Sequence, residues 1–577
     1  MPTNSSLFPF NASFGQTHQT NLCWLFGLAS VLILVGLGLR DPWPADEPRF
    51  AQIAMEMVNS GQWFFPTRGG ELYPDKPPIF MWSIALFYWL TGSINIAFLL
   101  PSALCGLATV YWVYSLGRQL WSNQVGFYAG LLLLFSLQFT LQAKTAQIDA
   151  MVCCWITLGC YGLLRFLLID GQWRWYYMAW FFMGIGVITK GVGFLPLLML
   201  LPYALLRWFK FTNALKPPLM IAGGWRWWLG PLIMLLAISL WFVPMLLLVE
   251  HSQNPLFATY RDNILFKQTV TRYADSWHHI KPFWYYIISV IPVFWLPISA
   301  LLPWLVGYWK SAIKAADYRI ILPLAWIVLV LIFFSASPGK RGVYVLPALP
   351  MLALISAPYL SEILHKKWPK RLLTILVLFI SLTLTLAAVA GWLDLKASVK
   401  LAEKYGLEPW NFLAVIGFSG LFVLVMGLKS KLMRLLCWPL FISVLWLLYS
   451  TWGYSMLGKV KTPKTIFSNV AKNIPENASL ALVSFSEQFI LFSPYPITHF
   501  GYHTDNGEQL RAAWQWQQES DNRYILMDKA LITECFDPTK TLDMGFAHGE
   551  DWVIMGPYSR LTQCPEPSHS LQEYHYK

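Results

Sequence analysis

The chain has 577 residues, of which 56% are apolar and only 12% are charged. A soluble domain carries about 25% charged residues, so a soluble enzyme is excluded and a polytopic α-helical membrane protein is expected. The net charge of +12 comes with no nucleic-acid-binding motif. It reads as cytoplasmic loops and contacts with anionic headgroups. Ten-residue segments of alternating hydropathy, the mark of a membrane β-barrel, are absent from the sequence.

In chain order, residues 1–21 are polar and lack a basic n-region, and they are expected to form a cytoplasmic tail. The first apolar run, 22–40, has no small-residue cleavage signal after it and reads as a retained span. A span needs about 20 mostly apolar residues. Further candidates are 96–117, 124–143, 149–168, 175–189, 191–207, 227–249, 283–308, 319–336, 343–362, 371–391, 410–428 and 434–454. That makes about thirteen spans in a transmembrane domain covering 22–454, with the weakest cut at Thr189-Lys190-Gly191.

The segment from Pro77 to Thr91 is apolar but short, and charge decides its place. If it lies on the membrane surface, the even-numbered connections collect Arg118; Arg165 and Arg174; Arg207, Lys210, Lys216 and Arg226; Lys310, Lys314 and Arg319; Lys366, Lys367, Lys370 and Arg371; Lys429, Lys431 and Arg434. This is the positive-inside signature. If the segment spanned, every later loop would change sides. The N-terminus is therefore expected inside, and loops 41–95, 144–148, 250–282, 337–342 and 392–409 outside. Those outer loops are not poor in Lys and Arg, and such cations need a reason of their own. From Lys459 hydropathy falls and short strand-like runs appear, such as 480–485 and 524–527. Residues 455–577 are expected to form a soluble α/β domain outside the membrane. Cys23, Cys105, Cys153, Cys154, Cys160 and Cys437 lie in apolar segments and read as small buried side chains. Cys535 and Cys564, in the tail, can pair in an oxidising compartment.

The outer loops gather charge. The first brings Asp46, Glu47, Arg49, Asp75 and Lys76, and Asp149 opens a span. The long loop brings Lys267, Arg272, His278, His279 and Lys281, and Ser337-Pro338-Gly339-Lys340-Arg341 adds two cations before Tyr344. Ionisable residues at span mouths are costly unless paired or used. Cations facing a few carboxylates suit a departing phosphate beside a nucleophile, because Lys and Arg stabilise the leaving charge and a carboxylate orients or deprotonates the acceptor. Plainer readings stand beside this one. Asp46 and Asp149 can be helix caps, Lys76 a snorkelling anchor, His278-His279 a solvated pair, and Lys340-Arg341 a headgroup contact. Neither a Walker loop nor GxGxxG occurs, so no nucleotide cofactor is expected.

Five motifs then follow in one order: Asp46-Glu47-Pro48-Arg49-Phe50-Ala51, Asp75-Lys76-Pro77-Pro78, Gln147-Ile148-Asp149, Lys281-Pro282-Phe283-Trp284-Tyr285-Tyr286, and Ser337 to Pro347 with Lys340, Arg341 and Tyr344. Together they resemble the GT-C glycosyltransferases of the bacterial aminoarabinose transferase and protein O-mannosyltransferase kind. The likeness covers about residues 20–350 well and the tail loosely. It implies a GT-C fold, an undecaprenyl-type polyprenyl-phosphate sugar donor, and transfer at the periplasmic face of the inner membrane to an acceptor such as lipid A or lipopolysaccharide. By position it implies catalytic roles for Asp46 and Asp149, and donor-phosphate binding by Lys76, Arg272 and Tyr344, with Lys340 beside them. Glu47, Arg49 and Arg341 would share the cavity, and Glu487 would reach it from the tail. It also implies a divalent metal at Asp75. The family's His partner is missing from the stretch 262–267, which leaves His278 or His279 as substitutes. Two other functions stand beside lipid A transfer: protein O-glycosylation, and a lipid-linked sugar flippase. Against the flippase, no inverted repeat is visible.

Overall fold

The structure is a computed structural model that describes residues 17–208, 219, 221, 223–252, 254–265, 280–532 and 534–576. Two parts follow each other along the chain: a helical part to Lys461, and a mixed sheet with helices beyond it.

Among the described residues, eight helices are long and apolar enough to cross a membrane, or ten if each of two bent pairs is one span. The expected thirteen differ for identifiable reasons. The first apolar run forms only His18–Leu34, and the chain then turns through Gly36 and Gly38, both at positive φ. The expected cut at Lys190 is a helix end, with Gly191 left-handed (φ 79°) as the cap. Past it, Leu195–Trp208 is short. The segments expected at 124–143 and 283–308 are broken. Asn123–Leu134 and Leu137–Ala143 meet at 73°, and Tyr286–Phe294 and Ile298–Lys314 at 107°.

A break inside an apolar bundle frees backbone groups that need partners. At the first break Trp438 Nε1 donates to the Phe135 carbonyl (3.3 Å) and Leu137 N donates to the Leu296 carbonyl (3.2 Å). The two breaks therefore pack on one another. Trp295 Nε1 adds a bond to Gln138 Oε1 (2.7 Å), buried between them. The Pro77–Thr91 segment forms Ile79–Thr91, 13 residues, about 20 Å long at 1.5 Å per residue and well short of a hydrocarbon core of about 30 Å.

The last apolar helix runs to Lys461, seven residues past the expected boundary at 454. Beyond it lie six strands: β3 (Ser479–Leu482), β4 (Ile497–His499), β5 (Arg523–Asp528), β6 (Leu542–Ala547), β7 (Glu550–Met555) and β8 (Tyr574–Tyr576). They form one sheet in the order β6-β7-β5-β3-β4-β8. β3 pairs in parallel with both β4 and β5, and the other pairings are antiparallel. Alternate residues of a strand face opposite sides. Here Leu480, Leu482, Leu526 and Ile554 join one apolar cluster, while Ala481, Ile525, Val553 and Met555 join another. Both faces of the sheet are thus covered. Cys535 and Cys564 are joined as a disulfide, with Cα atoms 4.7 Å apart.

A small hairpin, β1 (Thr67–Arg68) and β2 (Glu71–Leu72), rises from the loop between the first two apolar helices. Its two turn residues, Gly69 and Gly70, both have positive φ (64° and 83°), as a two-residue hairpin loop matching the strand twist demands. The hairpin is the plug between the two parts. His499 Nε2 donates to the Gly69 carbonyl (2.7 Å), and Tyr502 N donates to Glu71 Oε2 (2.8 Å).

Candidate active site

Asp46 immediately precedes the amphipathic helix Glu47–Ser60, with Pro48 in its first turn. Its side chain makes no capping bond. Instead Oδ2 accepts from Arg341 Nη2 (3.1 Å) and from Gln147 Nε2 (3.5 Å), and Arg49 Nη1 lies 3.9 Å from Oδ1. A residue placed by sequence for capping is spent on cations. Asp149 sits in the first turn of Ile148–Arg165 and pairs with Lys190 Nζ, from the end of Trp173–Lys190. Lys190 Nζ also lies 4.7 Å from the centre of the Tyr344 ring.

These groups line one cavity of about 200 Å³. Its walls are Asp46, Arg49, Phe50, Tyr73, Asp75, Lys76, Gln147, Ile148, Asp149, Lys190, Arg341 and Tyr344. Residues from sequence positions 46 to 344 thus converge. Of the expected site, Asp46, Arg49, Asp75, Lys76, Asp149, Arg341 and Tyr344 are brought together. Arg341 and Arg49 keep their charge. Burial alone would lower each, but Asp46 beside Arg341 and Glu487 beside Arg49 more than offset it, so both are raised.

Three expected cavity residues stand elsewhere. Glu47 is buried and turned away. Its Oε1 accepts from Arg40 Nη2 (2.7 Å) and Ala146 N (3.0 Å), and its Oε2 accepts from Trp43 N (2.8 Å) and Arg40 Nη1. Arg40 Nη2 also donates to the Lys144 carbonyl (3.2 Å), and Lys144 Nζ donates to the carbonyls of Leu32 (2.9 Å), Ile33 (3.1 Å) and Val35 (2.7 Å). Glu47, next to Asp46, is thereby tied to Ala146, three residues before Asp149. Lys340 is also buried. Its Nζ donates to the carbonyls of Lys281 (3.0 Å) and Ser337, so it staples the loop, and burial lowers its pKa. Within the pair Lys340-Arg341, only Arg341 faces the cavity.

Glu487 opens the helix Glu487–Phe492 and stands one layer behind the wall. Its Oε1 accepts from Arg49 Nε (2.6 Å) and Arg68 Nη1 (3.2 Å). The sheet domain thus reaches the cavity through Arg49. Arg272, His278 and His279 lie outside the described residues. Among the described residues no group of three His, Cys, Asp or Glu side chains converges as a metal site. The described donors therefore do not complete a site at Asp75, and no chemistry is derived through a metal.

Gln147 stood in a sequence motif without a role of its own, and Lys190 and Tyr73 in the wall, and Arg68 behind it, were not assigned from sequence. Lys190 had a signal, since a lone lysine inside an apolar stretch is expensive and calls for a partner.

The sequence model of the dolichyl-phosphate-mannose-protein mannosyltransferase family matches residues 75–224. The undecaprenyl phosphate-alpha-4-amino-4-deoxy-L-arabinose arabinosyl transferase of Pseudomonas savastanoi is 30% identical over 405 residues, 68% of this chain and 70% of that one. The chain belongs to that arabinosyl transferase family. Two other members of the family, from Pseudomonas fluorescens and Serratia proteamaculans, are 33% and 28% identical, over 57% and 58% of their own lengths. The chain thus spans a little under three fifths of those relatives. The crystal structure of ArnT from Cupriavidus metallidurans bound to undecaprenyl phosphate superposes with a TM-score of 0.71 at 18% identity, covering 95% of this chain and all of that one. Its apo form gives 0.69 at 19% identity, covering 93% of this chain and 98% of that one. The helical membrane architecture is the GT-C fold.

Proposed function

We propose that the chain is an inner-membrane glycosyltransferase that moves a sugar from undecaprenyl phosphate to lipid A, with 4-amino-4-deoxy-L-arabinose as the sugar. The carrying observation is the cavity in which two carboxylates, Asp46 and Asp149, face Lys76 and Tyr344, each carboxylate having a cation partner of its own. The curated relatives are named for that donor and sugar.

In the proposed reaction an acceptor oxygen attacks C1 of the sugar. The bond between C1 and the phosphate oxygen breaks, and the electron pair leaves with the lipid phosphate. One displacement inverts the anomeric centre. Lys76 is assigned to the departing phosphate, whose growing charge an ammonium stabilises. Asp46, held by Arg341 and Gln147, is assigned to the acceptor. A lipid phosphate arrives ionised, so Asp46 orients it through its cations; a hydroxyl acceptor would use Asp46 as base. Asp149 with Lys190 is assigned to the sugar side. Active site and sheet domain are assigned to the periplasmic face and the N-terminal segment to the cytoplasm, on the strength of the basic short loops.

Mass spectrometry of lipid A, surface polysaccharide and periplasmic proteins from cells with and without the gene tests the acceptor. The expected difference is a pentosamine-sized increment on lipid A. The same increment on periplasmic proteins instead would support protein O-glycosylation.

A further inference from the structure

Loop 392–409 carries lysines that the orientation rule disfavours on an outer face, and the cavity uses none of them. The chain places this loop at the cavity's end of the bundle. Ala348–His365 leads away from Tyr344, Lys367–Trp392 returns, Trp410–Lys429 leaves again, and Cys437–Lys461 comes back to the sheet domain. The loop folds as the helix Lys396–Tyr405, closed by left-handed Gly406 (φ 59°). Lys396, Lys400 and Lys404 follow each other at four-residue steps, about 6 Å apart along one face. Ser398 is buried, while Leu401 and Tyr405 are about half exposed. Such a helix suits a membrane surface, with lysines toward the headgroups.

Beside its end lies a second cavity of about 360 Å³, separate from the first. Glu408, Asn411, Trp452 and Lys459 line it, with Phe412 and Met456 as apolar wall. Below it, Phe418 and Phe422 on Trp410–Lys429 are exposed where a lipid chain would lie. Lys396, Lys400, Lys404 and Lys459 are exposed, and among the described residues none of the four forms an ion pair. These four cations outnumber the three carboxylates of the loop, Asp394, Glu403 and Glu408.

We propose that this cavity and lysine ridge form a second lipid site, which holds the phosphate headgroup of an anionic phospholipid. Lys459 and the ridge take the phosphate. Glu408 accepts from headgroup hydroxyls, as in phosphatidylglycerol. Asn411, whose Oδ1 already accepts from Trp392 Nε1 (2.9 Å), adds an amide donor. The inference needs only a membrane-embedded bundle and does not depend on the reaction assigned to the first cavity.

The test is native mass spectrometry of the delipidated full chain in detergent, titrated with phosphatidylglycerol, phosphatidylethanolamine or phosphatidylcholine. Phosphatidylglycerol is expected to bind at least tenfold more tightly than the other two. The triple change Lys396→Gln, Lys400→Gln, Lys404→Gln should remove that preference, since each interfacial lysine contributes severalfold. Ser455→Trp, which fills the cavity without touching the ridge, should weaken binding at least tenfold. Equal binding of the three lipids, or full retention by both variants, would overturn the proposal. Should the variants fail to fold, the unaltered protein decides. A headgroup-diazirine phosphatidylglycerol should label 393–411 or 449–461, and labelling confined to other segments would refute the site.

Discussion

At the scale of single residues, two of the cavity's carboxylates, Asp46 and Asp149, are held by Arg341 and Lys190, and Lys76 and Tyr344 share the same walls. Lys76→Ala should lower kcat/KM for a polyprenyl-phosphate donor by about 100-fold or more, the usual loss when one group that stabilises developing charge is removed. Retention of full transfer would end its phosphate role. Lys190→Ala should cost about as much by leaving Asp149 without its cation, with Lys190→Arg retaining more of the activity in the same kinetic assay. Glu47 makes a different prediction. It is paired with Arg40 at 7% and 1% side-chain exposure. Breaking a buried pair from one side costs about 3–5 kcal/mol, so Glu47→Gln should lower thermal stability before any catalytic step is considered. Motif order drew attention to 46–49, of which Asp46 and Arg49 line the cavity. It gave Asp46 the catalytic role but put Glu47 in the same cavity, because which neighbour faces the cavity is fixed by Arg40 and Ala146, on other elements. Lys340 was likewise given the phosphate role that its place against the Lys281 and Ser337 carbonyls denies it, while Arg341 faces the cavity.

Among the elements, the hairpin carries the most coupling for its size. Thr67 to Leu72 meets the sheet domain through Gly69, Glu71 and Arg68. A Cβ on Gly69 would sit 2.7 Å from His499 Nε2, whereas one on Gly70 meets nothing nearer than 3.7 Å. Both substitutions carry the left-handed penalty of about 1–2 kcal/mol, and Gly69→Ala adds a collision. Limited proteolysis should therefore release the sheet domain faster from Gly69→Ala than from Gly70→Ala. Burial lowers the His499 pKa to about 4 from 6.5, with Arg68 also lowering it and the bond to Gly69 only partly opposing. The folded state thus binds this proton less readily than the unfolded chain. The stability linked to neutral His499 is complete above about pH 6.5 and is lost as pH falls toward 4, by about 3 kcal/mol in all. Melting curves at pH 7 and 4.5 should show a larger drop for the wild type than for His499→Gln. None of this contact was legible in sequence, since two glycines and a distant histidine carry no shared pattern. The broken helices escaped for a related reason. Hydropathy reports apolar length, and partners such as Trp438 and Gln138 decide where an apolar run can bend.

At the scale of the whole molecule, hydropathy and charge patterning were enough for a helical membrane bundle followed by an α/β domain, because apolar spans and short apolar strand runs follow local rules. The domain's two-faced sheet matches the near-continuous apolar runs in 480–485 and 524–527, since a strand covered on both faces need not alternate. Its role was less legible: Glu487 holds Arg49 and Arg68, so the sheet domain backs a wall of the cavity instead of merely capping the bundle. The central claim is transfer of a sugar from a lipid phosphate within that cavity. The most direct measurement incubates the purified full chain in detergent, without a membrane gradient, with undecaprenyl phosphate carrying labelled 4-amino-4-deoxy-L-arabinose and with lipid A. The predicted result is label on lipid A with inverted anomeric configuration and free undecaprenyl phosphate in equal amount, both lost in Lys76→Ala. Intact donor after prolonged incubation with a stably folded protein, or transfer with retained configuration, would contradict it.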